Sequence, residues 1–354
     1  MDLDDVDGLL ATDRDGLLRA AAMGGAQMRA SASALEEGVL DGLRSDQPPR
    51  TVSWVATRGT AGTAGRLLAA ALGGSTSAPM VVGSEVPPWI GALDVLVVAG
   101  DDAADPVLVA AAATGVRRGA RVVIVAPDEG PLREVAAGRA AVLGPRLRMP
   151  SEHASTFGLS RYLAAGLAIL RVVDAGMQVD LATLADDLDA EALRNSAGRE
   201  LFTNPAKILA DRMTDRQVVF AGDNPATRLL AGHVASIMLR VGHTCVTPVG
   251  LSDALVAIQS GIAGGAADYE TALFHDEDLD GPLPARLRTV VLTIGDERSA
   301  LVARLSGFDD IDVVSAEDVP DAAAPTVGGR PEQQLALLAV RLEMTAVYLR
   351  LARG

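Results

Sequence analysis

The chain contains one cysteine, Cys245, which excludes an intramolecular disulfide and fits a reducing compartment. Aromatic side chains make up 3% of the 354 residues although 49% are hydrophobic, so the core must be built mainly from alanine, valine and leucine. Lys207 is the only lysine, and every other basic side chain is an arginine. The 31 basic residues stand against 46 acidic ones, and the resulting net charge of -15 argues against nucleic acid or an anionic membrane as partner. No uninterrupted apolar run reaches membrane-spanning length, and the opening MDLDDVD is acidic where a signal peptide would be basic. A cytoplasmic protein is the expectation. Also missing are a G-x-S-x-G elbow, an H-E-x-x-H pair, a P-loop lysine and a dinucleotide fingerprint. His243 and Cys245 are two ligands at most, and the acidic stretch after Phe274 has no metal-loop spacing, so neither a metal nor a cofactor is expected.

What is present is an α/β pattern. Residues 52–65 read VSWVATRGTAGTAG, a short apolar run that ends in a glycine turn and leads into an alanine- and leucine-rich helix, expected over Thr63 to Leu72. Such a strand, turn and helix present backbone N–H groups where an anion can bind. Further strands are expected at Pro79 to Val82, Val95 to Val98 and Val122 to Val125, with a helix from Pro106 to Thr114 and a long apolar helix from Leu159 to Val173. Strands apolar on both faces and joined through helices define a parallel sheet covered on both sides.

The pattern then repeats. Strands are expected at Val218 to Phe220, Thr244 to Pro248, Val290 to Ile294 and Ile311 to Val314, with helices from Ala226 to Leu239 and Ser299 to Leu305. In both Asn204-Pro205 and Asn224-Pro225 the asparagine can cap a helix while proline occupies its first turn. A last helix, about Glu332 to Leu351, carries Leu335, Leu338, Leu342, Thr345 and Leu349 on one side. The expected division is a helical segment 1–50, interrupted by Gly24-Gly25, a first domain 51–177, a helical linker 178–215 and a second domain 216–354.

Several segments carry a likeness in the same order. Arg58-Gly59-Thr60-Ala61-Gly62, GSEVPPW at Gly83 to Trp89, Gly119 to Val123, NPAKILA at Asn204 to Ala210, Phe274-His275-Asp276-Glu277 and Met344 to Leu349 together resemble the sugar-isomerase (SIS) fold proteins. Within that group the likeness is to the bacterial and archaeal bifunctional phosphoglucose/phosphomannose isomerases. The resemblance implies two SIS-type domains, a sugar-phosphate ligand and a homodimer. It also implies isomerisation through an enediol, with Glu277 as base and His275 orienting a hydroxyl or that glutamate. Arg58, Gly59, Thr60, Gly62, Thr63, Asp101 and Asp102 fall at the ligand-binding turns.

The chain departs from the family pattern at that site. Ala99 to Pro106 (AGDDAADP) replaces a hydroxyl-rich phosphate loop with carboxylates, and Asp105 is placed to cap the helix that follows. Arg58 is suited either to hold an anion or to neutralise Asp101 and Asp102. No counterpart of the family's catalytic lysine is found, since Lys207 lies in the linker, and no histidine follows His275. His233, His243 and His153 are expected to be structural or surface residues, and Cys245 a small core residue. The expected function is therefore binding of a carbohydrate derivative, a sugar phosphate or related ligand, without standard isomerase chemistry. The alternatives are an active isomerase and a structural or regulatory homodimer.

Overall fold

Val52–Val55 (β1) is a run of four buried residues, and a strand buried on both faces can only be the interior of a covered parallel sheet. The computed structural model describes residues 2–147, 156–260, 262, 287–308, 310–318 and 329–353. The chain forms two compact units, one of Asp13–Leu193 with Pro331–Val340, the other of Met1–Thr12, Arg194–Arg330 and Arg341–Gly354.

In the first unit β1 is flanked by Met80–Gly83 (β2) and Val95–Ala99 (β3), followed by Arg121–Val125 (β4) and Ala140–Val142 (β5). All pairs are parallel and the order is β2-β1-β3-β4-β5. The direction of the order reverses between β1 and β3, which is where ligands settle in open α/β sheets. Three helices belong to these crossovers: Gly59–Leu72 (α4), Pro106–Arg117 (α5) and Gly130–Ala136 (α6). Earlier in the chain come Val6–Thr12 (α1), Leu17–Ala21 (α2) and Gly24–Glu36 (α3); later come Leu159–Val173 (α7) and Leu181–Arg194 (α8).

The N-terminal segment is not one continuous helix and breaks at the glycine pair, α2 ending at Ala21 and α3 beginning at Gly24. A Cβ on Gly25 would stand 2.5 Å from the Ala185 carbonyl, so the absent side chain lets α3 approach α8. Helix α4 starts at Gly59, four residues before its expected start at Thr63. Its small first-turn residues wind directly against β1, where Trp54 Nε1 donates to the Ala61 carbonyl at 3.0 Å. The same indole ring occupies the space left by two glycines. A Cβ on Gly65 would lie 2.5 Å from Trp54 Cδ1, and one on Gly166 of α7 would lie 3.2 Å from Trp54 Cζ3 and 2.2 Å from Leu68 Cδ1. Strand β5 and helix α6 were not anticipated, because their seven-residue helix and three-residue strand are too short to show a periodicity.

Among the described residues the second unit repeats the order with one strand fewer, β7-β6-β8-β9, again all parallel. Its strands are Gln217–Gly222 (β6), Val246–Gly250 (β7), Leu287–Leu292 (β8) and Ile311–Val314 (β9). Its helices are Pro205–Met213 (α9), Pro225–Arg240 (α10), Leu251–Gln259 (α11) and Gly295–Leu305 (α12), and Pro331–Arg353 (α13) ends the chain. Both asparagine caps form: Asn204 accepts from Lys207 N, and Asn224 makes a reciprocal capping box with Thr227.

Two expectations change here. Helix α13 is buried nearly all round, including Ala336, Val340, Met344 and Tyr348, so its apolar stripe understates how far it is enclosed. Cys245 is exposed, because β7 begins one residue later and the turn at His243, with φ 48, leaves the thiol outside the sheet.

Alanine in place of a mid-helix glycine ordinarily adds about 1 kcal/mol of stability. At Gly65 the indole contact reverses that sign, since overpacking a filled core costs roughly 1–3 kcal/mol. Gly65→Ala is expected to lower unfolding stability by about 1–2 kcal/mol in urea titrations. A variant as stable as the wild type would show that Trp54 does not fill this gap.

Candidate functional site

The candidate site is built from the two turns that follow β1 and β3. Arg58 ends the first turn in an extended conformation, and Gly59 follows at φ 70, a left-handed geometry that favours glycine. Thr60 and Gly62 are buried in the first turn of α4, Thr63 is half-buried, and the Arg58 side chain projects into solvent.

The second turn brings three carboxylates to the same place, and each has protein partners. Asp105 accepts from Val107 N at 2.9 Å and so caps α5, while Thr57 Oγ1 donates to its other oxygen at 2.8 Å. Asp102 accepts from Ala104 N at 2.9 Å and pairs with Arg58 Nη2 at 3.1 Å. Asp101 Oδ1 accepts from Arg161 Nη2 at 2.5 Å and from Tyr162 Oη at 2.7 Å. Its Oδ2 faces the start of α4, where a Cβ on Gly59 would lie 4.0 Å away.

The electrostatics follow from that bonding. Burial raises the Asp105 carboxyl, but Thr57, the α5 backbone N–H groups and nearby Arg58 outweigh it and hold the pKa below the ordinary range. Burial pushes the Tyr162 hydroxyl upward, with Arg161 opposing and Asp101 adding to the rise, so it stays a neutral donor. The Arg161 guanidinium stacks 4.2 Å from the Tyr162 ring centroid, which fixes both side chains that hold Asp101. Three carboxylates against the guanidinium groups of Arg58 and Arg161 leave one net negative charge. Like unit charges about 4 Å apart repel by roughly 4 kcal/mol at an effective dielectric of 20, more than the about 1 kcal/mol a helix end returns to an anion.

Beside Asp101 lies a cavity of about 350 Å³ beyond the carboxyl ends of β3, β4 and β5. Gln27 and Ser31 of α3, Arg161 of α7, Arg146 and Asp101 supply its polar lining. Gln27 joins the two helices that border it, accepting from Arg161 N at 3.0 Å and donating to the Phe157 carbonyl at 3.1 Å. Arg146 is held by Glu37 through two contacts of 2.7 Å, and that guanidinium draws the Glu37 pKa down. Among the described residues Ser31 Oγ makes no hydrogen bond, and Arg161 Nη1 is buried without a partner.

The structure thus groups Arg58, Gly59, Asp101 and Asp102, with Thr60, Gly62 and Thr63 inside the adjoining helix turn. Arg161, Tyr162, Arg146 and Gln27 were missed by sequence reasoning. The available signal was an arginine and one of only three tyrosines in the first turn of a mostly apolar helix. His275, Glu277 and His153 lie outside the described residues.

The remaining polar candidates have structural surroundings. Lys207 is fully buried, donating to the carbonyls of Ala197 at 2.9 Å and Arg199 at 2.7 Å, and burial lowers its pKa. His233 is buried 2.9 Å from Glu343, whose carboxyl is pushed up by burial despite that contact. In the second unit Asp223, directly after β6, is likewise engaged by the protein, accepting from Thr227 Oγ1 at 2.9 Å and Thr293 Oγ1 at 2.8 Å. Among the described residues no cluster of metal-ligating side chains occurs, and no helix is long and apolar enough to cross a membrane.

No protein-family profile matches the chain, and no curated protein matches it in sequence. Solved structures do. A glucose-6-phosphate isomerase like protein from Thermus thermophilus is similar at 22% identity and a TM-score of 0.55, covering 100% of this chain and 94% of that one. Tagatose-6-phosphate ketose/aldose isomerase from Escherichia coli is similar at 14% identity and a TM-score of 0.60, covering 97% and 93%. The C-terminal domain of glucosamine-fructose-6-phosphate aminotransferase from Francisella tularensis gives 10% identity and a TM-score of 0.58, covering 98% and 96%. The chain has the double SIS fold, two parallel-sheet units flanked by helices. At these identities the likeness is one of fold.

Because the folded Asp105 pKa is depressed, its contribution is complete above the ordinary carboxylate range and is lost as pH falls through the folded value. Asp105→Ala is expected to cost about 1 kcal/mol at pH 7, the usual worth of an N-cap. The gap from wild type should close in acid. Urea titrations at pH 7 and below pH 3 measure it, and a gap independent of pH would contradict the ionised cap.

Proposed function

We propose that the chain binds a carbohydrate derivative in the cavity beside Asp101 and does not carry out standard aldose–ketose isomerisation. The observation that carries this reading is the bonding of Asp101. Its carboxylate stands at the turn after β3, held by Arg161 and Tyr162, on the wall of a cavity large enough for a monosaccharide derivative. At the neighbouring turns after β1 and β3, Asp102 and Asp105 engage Arg58 and Thr57, donors that would otherwise serve a phosphate at those turns. The resemblance of the sequence to phosphoglucose/phosphomannose isomerases supports a sugar as ligand. The missing lysine and the missing histidine after His275 support the loss of turnover. The same resemblance supports a homodimer as the working form and a division into a helical segment 1–50, a first SIS domain 51–177, a helical linker 178–215 and a second SIS domain 216–354.

A second reading keeps isomerase activity with Glu277 as base. It is favoured by the isomerases among the structures that share the fold. Incubation with glucose 6-phosphate or mannose 6-phosphate separates the two. The proposal expects no fructose 6-phosphate above background and a thermal shift with at least one sugar derivative. Turnover that disappears in Glu277→Gln would establish the second reading instead.

A further inference from the structure

The cavity beside Asp101 differs in charge from the turns that adjoin it. At the turns after β1 and β3, three carboxylates face two guanidinium groups. The cavity lining has the reverse balance, Arg146 and Arg161 against the single carboxylate of Asp101. In a chain with 46 acidic and 31 basic residues, a concave surface with a positive excess runs against the overall charge. Glu37, which is not part of the lining, holds the Arg146 guanidinium from outside it.

Both guanidinium groups keep donors in reserve, since each carries more N–H groups than its contacts use. Arg146 gives one from Nη1 and one from Nη2 to Glu37, and Arg161 gives one from Nη2 to Asp101. Arg161 Nη1 is buried with no acceptor, a costly state for a charged group, and stacking on Tyr162 keeps that guanidinium in place. Ser31 Oγ, on the α3 wall, makes no hydrogen bond among the described residues. Leu143 and Pro145 add an apolar surface for the C–H face of a sugar. What this lining lacks is an acceptor with one negative charge. A carboxylate supplies it in the planar form that a guanidinium binds bidentately. A phosphate monoester, close to doubly charged near neutral pH, would exceed the positive excess and lie near the Asp101 carboxylate.

We infer that the ligand of this cavity is a sugar acid, a polyhydroxy compound whose one carboxylate pairs with Arg146 and Arg161. The inference rests on the cavity being the carbohydrate site. Its test is calorimetry on the full chain with hexonates and hexuronates, each beside its neutral parent and that parent's 6-phosphate. At least one acid is expected to bind tenfold or more tightly than both, and its advantage over the neutral parent should shrink as salt is raised. Arg146→Gln, which removes the charge at a partly exposed side chain, is expected to weaken binding of the acid at least tenfold. Neutral parents or 6-phosphates that bind as tightly as the acids would overturn the inference while leaving carbohydrate binding intact. Unchanged affinity for the acid in folded Arg146→Gln would overturn it too, and the wild-type comparison decides it if that variant does not fold. Absence of binding by every compound would remove both the inference and the carbohydrate site.

Discussion

The first unit depends on how one indole is housed. Trp54 sits on the central strand β1 of a chain with two tryptophans, and α4 and α7 both carry a glycine where its ring lies. Its N–H is satisfied by the Ala61 carbonyl, so burying the ring leaves no polar atom without a partner. That single arrangement sets the depth at which α4 starts, and the start of α4 sets where Gly59 faces Asp101. In a core made largely of alanine, valine and leucine, one large rigid ring does what several aromatics do elsewhere: it fixes the spacing between elements.

The site follows from this spacing and from charge. Short turns after β1 and β3 bring Arg58 and Thr57 within reach of Asp102 and Asp105, while the first turn of α7 delivers Arg161 and Tyr162 to Asp101. The exposed Arg58–Asp102 pair contributes little to stability, as surface ion pairs do. Its consequence is for binding, because it occupies a guanidinium that would otherwise meet an incoming anion. The second unit uses the same economy with neutral donors, Thr227 and Thr293 satisfying Asp223.

Much of the fold was legible in the sequence because its signals are local. The runs at Val52, Val95, Val122 and Ile311 are strands, the interval Leu159 to Val173 is a helix, and the Asn-Pro and Asp-Pro pairs all cap helices. Errors arose where tertiary packing decides. The start of α4 at Gly59 depends on β1 beneath it, the enclosure of α13 on what surrounds it, and the exposure of Cys245 on a left-handed residue two positions earlier. The pairing of Asp102 with Arg58 could be read from the turn. The pairing of Asp101 could not, because its partners lie 60 and 61 positions further along, in a helix whose apolar periodicity concealed them.

The burial of Lys207 reaches beyond the linker it organises. With the chain's only ε-amine enclosed by backbone carbonyls, every strong cation on the surface is a guanidinium. Acylating enzymes and amine-reactive labels that act on side chains therefore find no target on the folded surface. Lysine modification thus offers no means of retuning the protein's surface charge after translation.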